Sequence, residues 1–412
     1  MRINKKDIRD GGLYTLAGIN QMHIKTMAWC IWLSLCMLFN TKLVGDVVGS
    51  QVLLGWVIYL WIIQQSLRPK DVAWPILIIV FMIGMLPIQL LIDAEENFRL
   101  LEDGIKIIFL IFGVMALRQV PQSVLKELTV VLPVMVSLIV GYTYVVSAWD
   151  YYDTLLHRFG VPSFGSPNSL GYVLSFSLIM IHYNFGRFHS ISLKIFLLFV
   201  GLVCLAALIG TQSRGGLITY LVGLVIFISR KRNSTILLYV CIVGLLPLIA
   251  GLLADNSTEQ LARFNAEVDY ENADAGSGRI EIWTSLIYEM IHHPISLVVG
   301  FGPGSIYLNR DGHIVNSAHS SIITVLYWYG LFGIFAFFSL FYKMTQSLSG
   351  ANLEAQPWSY LRRSFIWMLG VGAIFDSYLL AAQLLWFAVV IIAIIFVRDK
   401  KNYALIRAPS EF

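Results

Sequence analysis

Apolar residues gather along this chain in long runs that short polar stretches separate. The runs fall at about 26–41, 47–65, 72–92, 100–117, 129–148, 169–183, 195–210, 216–229, 235–253, 317–342, 364–380 and 383–397. Crossing the hydrocarbon core of a bilayer takes about 20 residues of helix, so the pattern predicts about twelve transmembrane helices. Several runs are short, which predicts tilted or broken helices shielded by neighbours. The expected fold class is an all-α polytopic membrane protein, with residues 1–412 as one membrane domain. One stretch interrupts the rhythm. From Ala254 to Asn316 the chain is polar for some 63 residues and carries nine acidic residues against three arginines. Inside it, Trp283, Leu286, Ile287, Met290 and Ile291 recur at helical spacing, with Glu281, Ser285 and Glu289 between them. That spacing predicts an amphipathic helix, lying on the membrane surface or capping a cavity. Gly276-Ser277-Gly278 and Pro294 punctuate its two ends.

Composition sharpens this picture. Hydrophobic residues make up 57% of the chain and charged residues 13%, with a mean hydropathy of +0.72. Soluble domains carry about 25% charged residues, so soluble enzymes, disordered chains and nucleic-acid-binding domains are excluded. With alternating loops and the N-terminus inside, 21 of the 29 basic residues fall on the inner side. The positive-inside rule therefore predicts both termini in the cytoplasm and the 254–316 loop on the outer face. The first apolar run is expected to stay as a helix, not to be removed as a signal peptide. Cys30, Cys36, Cys204 and Cys241 all lie in apolar runs, which predicts neither a disulfide framework nor a metal site.

The scarce charges of the outer side hold the candidate chemistry. Arg214 stands in Thr211-Gln212-Ser213-Arg214-Gly215-Gly216, between two apolar runs. It is either a snorkelling helix-end arginine or a phosphate ligand. Gly215 and Gly216 would let backbone approach a ligand and offer N–H groups at a helix start. Arg279 opens the loop helix and shares a face with Trp283, so it is expected to point with the apolar side toward the membrane surface. A headgroup contact or half of a diphosphate clamp would both suit it. His319, in Ser317-Ala318-His319-Ser320-Ser321, is a helix-start histidine that could also handle a proton. Gly300-Phe301-Gly302-Pro303-Gly304 reads as a tight turn or a backbone phosphate nest. Asp150, Asp153, His157 and Arg158 form a smaller outer loop. Gly165-Ser166-Pro167-Asn168 reads as a turn and helix cap. Asp376 is either buried and functional or set in a short outer turn.

Thr-Gln-Ser-Arg214-Gly-Gly, Gly-Ser-Gly-Arg279-Ile-Glu-Ile-Trp283, Gly-Phe-Gly-Pro-Gly and Ala-His319-Ser-Ser with Tyr-Gly-Leu-Phe-Gly downstream occur in that order. Together they resemble the O-antigen ligase and O-antigen polymerase superfamily of bacterial inner-membrane proteins. The resemblance implies a GT-C-like architecture with the 254–316 loop and the active site in the periplasm. It implies an inverting, metal-independent glycosyltransferase without a cofactor. The donor would be an oligosaccharide on undecaprenyl diphosphate, and the acceptor a lipid-linked sugar or lipid A–core. Membrane lipids and a chain-length regulator would be further partners; nucleic acid would not. By the same resemblance Arg214 and Arg279 bind the leaving diphosphate and His319 is the general base. Gly215, Gly216, Trp283, Arg310 and Ser320 complete the implied substrate-binding set. Many relatives carry asparagine after the motif histidine, where Ser320 stands here. Ser-Arg-Gly-Gly and Ser-Pro-Asn are closer to the polymerases, so a polymerase is expected, with a ligase as the alternative. A lipid-linked oligosaccharide transporter should show paired midplane charges and two related halves, and neither is visible.

Overall fold

The computed structural model describes residues 109–116, 120, 122–147, 152–153, 158–161, 164, 166–228, 279–302, 308–310, 313–315, 318–348, 357–376 and 384–396, with residues 28, 32, 42–44, 47–48 and 55. Their principal helices are α1 (Gln122–Ser147), α2 (Pro167–Arg187), α3 (Ile191–Gly210), α4 (Arg214–Ile228), α5 (Arg279–His292), α6 (Pro294–Val299), α7 (Ser321–Gln346), α8 (Pro357–Phe375) and α9 (Leu385–Phe396). Short antiparallel pairs join β1 (Lys42–Val44) to β2 (Val47–Val48), β3 (Tyr152–Asp153) to β4 (Arg158–Phe159), and β5 (Leu308–Arg310) to β6 (His313–Val315). Seven of the expected apolar runs are helices α1–α4 and α7–α9, and part of the 100–117 run is helical. The runs at 26–41, 47–65, 72–92 and 235–253 fall almost wholly outside the described residues. Among those described, α1, α3 and α7 are long and apolar enough to cross a membrane.

The core is built around α2, which is buried from Ser169 to Asn184 on every face. A helix with no polar face belongs inside a bundle. Its hydroxyls turn back on the backbone: Ser177 Oγ donates to Val173 O at 2.8 Å, and Ser175 Oγ lies 2.6 Å from Gly216 O on α4. Small residues let these two helices approach closely. A Cβ on Gly216 would stand 2.8 Å from Gly171 C. In α1, Pro133 cannot donate to the carbonyl four residues back. Asn184 of α2 fills that gap, donating from Nδ2 to Thr129 O at 2.9 Å.

Antiparallel packing sorts the charges. One end of the bundle collects Lys126, Arg187, Lys194, Lys343, Arg362 and Arg363, where Arg187 pairs with Glu127. Arg362, expected in a loop, lies within α8 and is only 3% exposed. It donates to Ile395 O of α9 from Nε at 2.7 Å and to Ser347 Oγ from Nη2 at 3.2 Å. A buried cation needs such acceptors, and the ends of α7 and α9 supply them. Arg214 and Arg279 lie at the opposite end.

Helix α7 is broken at Gly330, whose φ is 60° and ψ −154°. The break frees the carbonyls of Tyr327 and Trp328. Phe301 N and Gly302 N donate to them at 2.9 and 3.0 Å. The Gly-Phe-Gly turn is thus a plug for the break. The N–H groups of Gly300, Phe301 and Gly302 are spent on carbonyls and so are taken from the expected nest, while Pro303 and Gly304 lie outside the described residues. Gly330→Ala puts a Cβ 2.3 Å from Val298 O at a left-handed backbone. It should destabilise the protein by roughly 2–4 kcal/mol, read as a lower Tm in detergent; an unchanged Tm would show that the α6 turn does not dock there.

Candidate functional site

The last carbonyls of α8 have no partners within their own helix. Two neighbouring segments supply donors. Arg279 Nη1, at the start of α5, donates to Phe375 O at 2.7 Å. Ser321 N and Oγ, at the start of α7, donate to Asp376 O at 3.0 and 2.8 Å. Ser320 Oγ reaches Ala373 O at 3.3 Å. The start of α4 closes the group. A Cβ on Gly215 would stand 3.2 Å from Phe375 Cβ and 2.3 Å from the Tyr172 hydroxyl. Arg279, His319, the first turn of α4 and Asp376 are therefore brought to one end of the bundle.

Two turns in this region share a construction. Gln212 and His319 both have φ 49°, and they are the positive-φ non-glycine residues among those described. Each precedes a buried serine that caps a helix. Ser213 Oγ accepts from Gly216 N at 3.1 Å, and Ser320 Oγ from Ile323 N at 3.4 Å. Left-handed backbone at a non-glycine residue costs on the order of 1 kcal/mol and recurs at functional sites. Here it turns Arg214 outward at the first position of α4, where it is exposed. It also holds His319 half-buried ahead of α7.

Electrostatics couple the members. Burial holds the His319 imidazole below the usual histidine range, and the nearby Arg279 charge pushes the same way. The Asp376 carboxylate opposes both. Asp376 is buried, and with Arg279 it lies within electrostatic reach of the Tyr172 hydroxyl as well. An imidazole, a carboxyl group and two guanidinium groups at one end can exchange a proton and attract an anion.

Arg279 and Trp283 share a face, as their spacing requires, but that face packs on protein instead of pointing to the membrane surface. Trp283 Nε1 donates to Ala318 O at 2.7 Å, and Tyr327 of α7 donates to Glu289 Oε2 at 2.8 Å. The missing side chains of Gly215 and Gly216 make room for Tyr172 and Gly171, and Gly216 N is taken by its cap. Ser320 caps α7 and touches α8. Arg310 ends β5 opposite His313 in a hairpin. Ser166 caps α2 by accepting from Ser169 N at 3.2 Å, as the sequence predicts. Asp153 pairs with Arg158 in the β3–β4 hairpin, while Asp150 and His157 lie outside the described residues. Tyr172 escapes sequence reading, since one tyrosine in an apolar run carries no signal of its own.

Residues 196–338, about a third of the chain, match the family model described as O-Antigen ligase. The matched stretch contains Arg214, Arg279 and His319. It supports the resemblance carried by the motifs to the O-antigen ligase and polymerase superfamily. No curated protein matches the chain.

Gly215→Ala should lower the Tm, because its methyl meets the Tyr172 hydroxyl. Adding Tyr172→Phe, which removes that oxygen, should restore part of the loss. Equal melting of the single and double variants would refute the contact.

Proposed function

We propose that this protein, whose residues 196–338 match the O-antigen ligase family model, is an inner-membrane glycosyltransferase whose site faces the periplasm. It moves a glycan from undecaprenyl diphosphate to a sugar hydroxyl, most simply on a second lipid-linked unit, which makes it a polysaccharide polymerase. The observation that carries this reading is the gathering of Arg279, His319, Asp376 and the Arg214 turn at the end of α8. The description of the matched family favours a second reading, a ligase with lipid A–core as acceptor.

His319 takes the acceptor proton as its oxygen attacks the anomeric carbon. The bond to the diphosphate oxygen breaks on the opposite face, so configuration inverts. Negative charge grows on the leaving diphosphate, and Arg214 and Arg279 stabilise it there. Arg279 spends Nη1 on Phe375 O and keeps the rest of its fork for phosphate oxygens. Tethering by α8 also fixes the fork before substrate arrives, which reduces the entropy lost on binding. Asp376 would favour the imidazolium formed in the transition state. The energy comes from the leaving group, so no metal or cofactor is required. Arg310 and Trp283 would contact the glycan from the loop side.

Arg214→Ala, Arg279→Ala and His319→Ala should each lower transfer by at least 100-fold in proteoliposomes with a defined lipid-linked donor, while membrane insertion is kept. Retained transfer in either arginine variant would sink the diphosphate clamp. Deleting the gene and running lipopolysaccharide on a gel separates the two readings. A single repeat on the core means a lost polymerase; a bare core means a lost ligase.

The base must be neutral to act, so activity falls as pH drops through the His319 pKa. With that value held below the ordinary 6.5 or so, the acid limb of kcat/KM should lie under about pH 6.5. Asp376→Asn removes the opposing charge and should move the limb lower still. A limb above pH 7, or an upward move, would contradict His319 as the base.

A further inference from the structure

Helix α5 has three faces, not two. At 3.6 residues per turn, Ile282, Leu286 and Met290 fall on one side, and all three are buried against α7 and its neighbours. Glu281, Ser285 and His292 fall on a second side, and all are exposed. Ile280, Ile287 and Ile291 fall on the third. They are exposed as well, Ile280 by 65% and Ile291 by 62%. A soluble helix packed on a core needs only a buried face and a wet face. A third, apolar and uncovered face calls for a third medium.

The neighbourhood of this face indicates the medium. On α6, Ile295 and Val298 are also exposed. Val298 O and Val299 N are the atoms against which Gly330 packs, at the break in α7. Immediately beyond that break α7 has its own exposed apolar stripe: Leu331, Phe335, Phe338 and Tyr342, spaced i, i+4, i+7 and i+11. Helix α7 is long and apolar enough to cross a membrane, and in that setting hydrocarbon would cover the stripe. At the break, exposed Val298 of α6 abuts Gly330, and the next residue of α7 is exposed Leu331.

We infer that the α5–α6 hairpin is set into the outer leaflet, with Ile280, Ile287, Ile291, Ile295 and Val298 in lipid, Glu281, Ser285 and His292 in water, and the third face on α7. The hairpin is then an interfacial element that the bilayer itself holds in place. Arg279, at its first position, sits at headgroup depth because of this seat, independently of the reaction proposed above.

The test uses single-cysteine variants in a background with Cys30, Cys36, Cys204 and Cys241 replaced by alanine. An environment-sensitive NBD label goes on Ile287→Cys, Ile291→Cys, Ile295→Cys or Ser285→Cys, in vesicles of phosphatidylethanolamine and phosphatidylglycerol. Nitroxide on the lipid chains should quench the three isoleucine sites several-fold more than Ser285, and aqueous iodide should give the reverse order. Equal iodide quenching at all four sites would overturn the inference by showing a solvated face. Protection of the isoleucine sites from both quenchers would overturn it too, by showing that a second copy or another segment covers them. Should the cysteine-free background fail to fold, Ile291→Trp against Ser285→Trp, read as extra quenching by brominated lipid over wild type, makes the same distinction.

Discussion

The described part of this protein turns on the carbonyl end of α8. A helix that stops at the membrane edge leaves acceptors that hydrocarbon cannot satisfy. Here a guanidinium, a backbone N–H and two hydroxyls satisfy them, supplied by two distant segments, Arg279 and the Ser320-Ser321 pair. The helix end is also the negative pole of its dipole, which favours the arginine. One local need of the backbone thus gathers the start of α5, the start of α7 and, through Phe375 and Gly215, the start of α4.

The same rule governs the break in α7. A kink in a membrane helix is tolerated when other groups take over the freed carbonyls. The Gly300–Gly302 turn does so, and three positive-φ glycines permit the approach: a Cβ on Gly300 would lie 2.2 Å from Trp328 C. Because α5 and α6 precede this turn, the plug also fixes where α5 lies along α7. Arg279 is held at one end of that hairpin by α8, and the turn is held at the other by α7.

Much of this was legible in the sequence, and the exceptions have physical causes. The helices, the cap at Ser166 and the start of α4 at Arg214 follow from hydropathy and punctuation, which are local. The direction of α5 was misread because Trp283, Leu286, Ile287, Met290 and Ile291 span too wide an arc to serve one contact. The structure divides them between a buried face and an exposed one. Gly215 and Gly216 looked like ligand approaches because close packing and ligand access make the same demand on Cβ. Tyr172 and Asp376 could not be ranked, since their importance comes from α2 and α8 meeting the α4 turn across about 40 and 160 residues of sequence. Arg310 and the greater part of the 254–316 loop are legible only as composition and short pairing.

A comparison of two arginines shows how the fold separates structure from chemistry. Arg362 is 3% exposed and spends Nε and Nη2 on the carbonyl ends of α7 and α9. Such a guanidinium ties helices together and has little left to offer a ligand. Arg279 is likewise fixed by a helix end, but through Nη1, and it remains half-buried. One anchor suffices to set its orientation, and its charge still acts on His319. Full satisfaction makes a cation a fastener, and partial satisfaction at an accessible end makes it a preorganised ligand for an anion. On that criterion Arg279, not Arg362, suits the diphosphate contact proposed above.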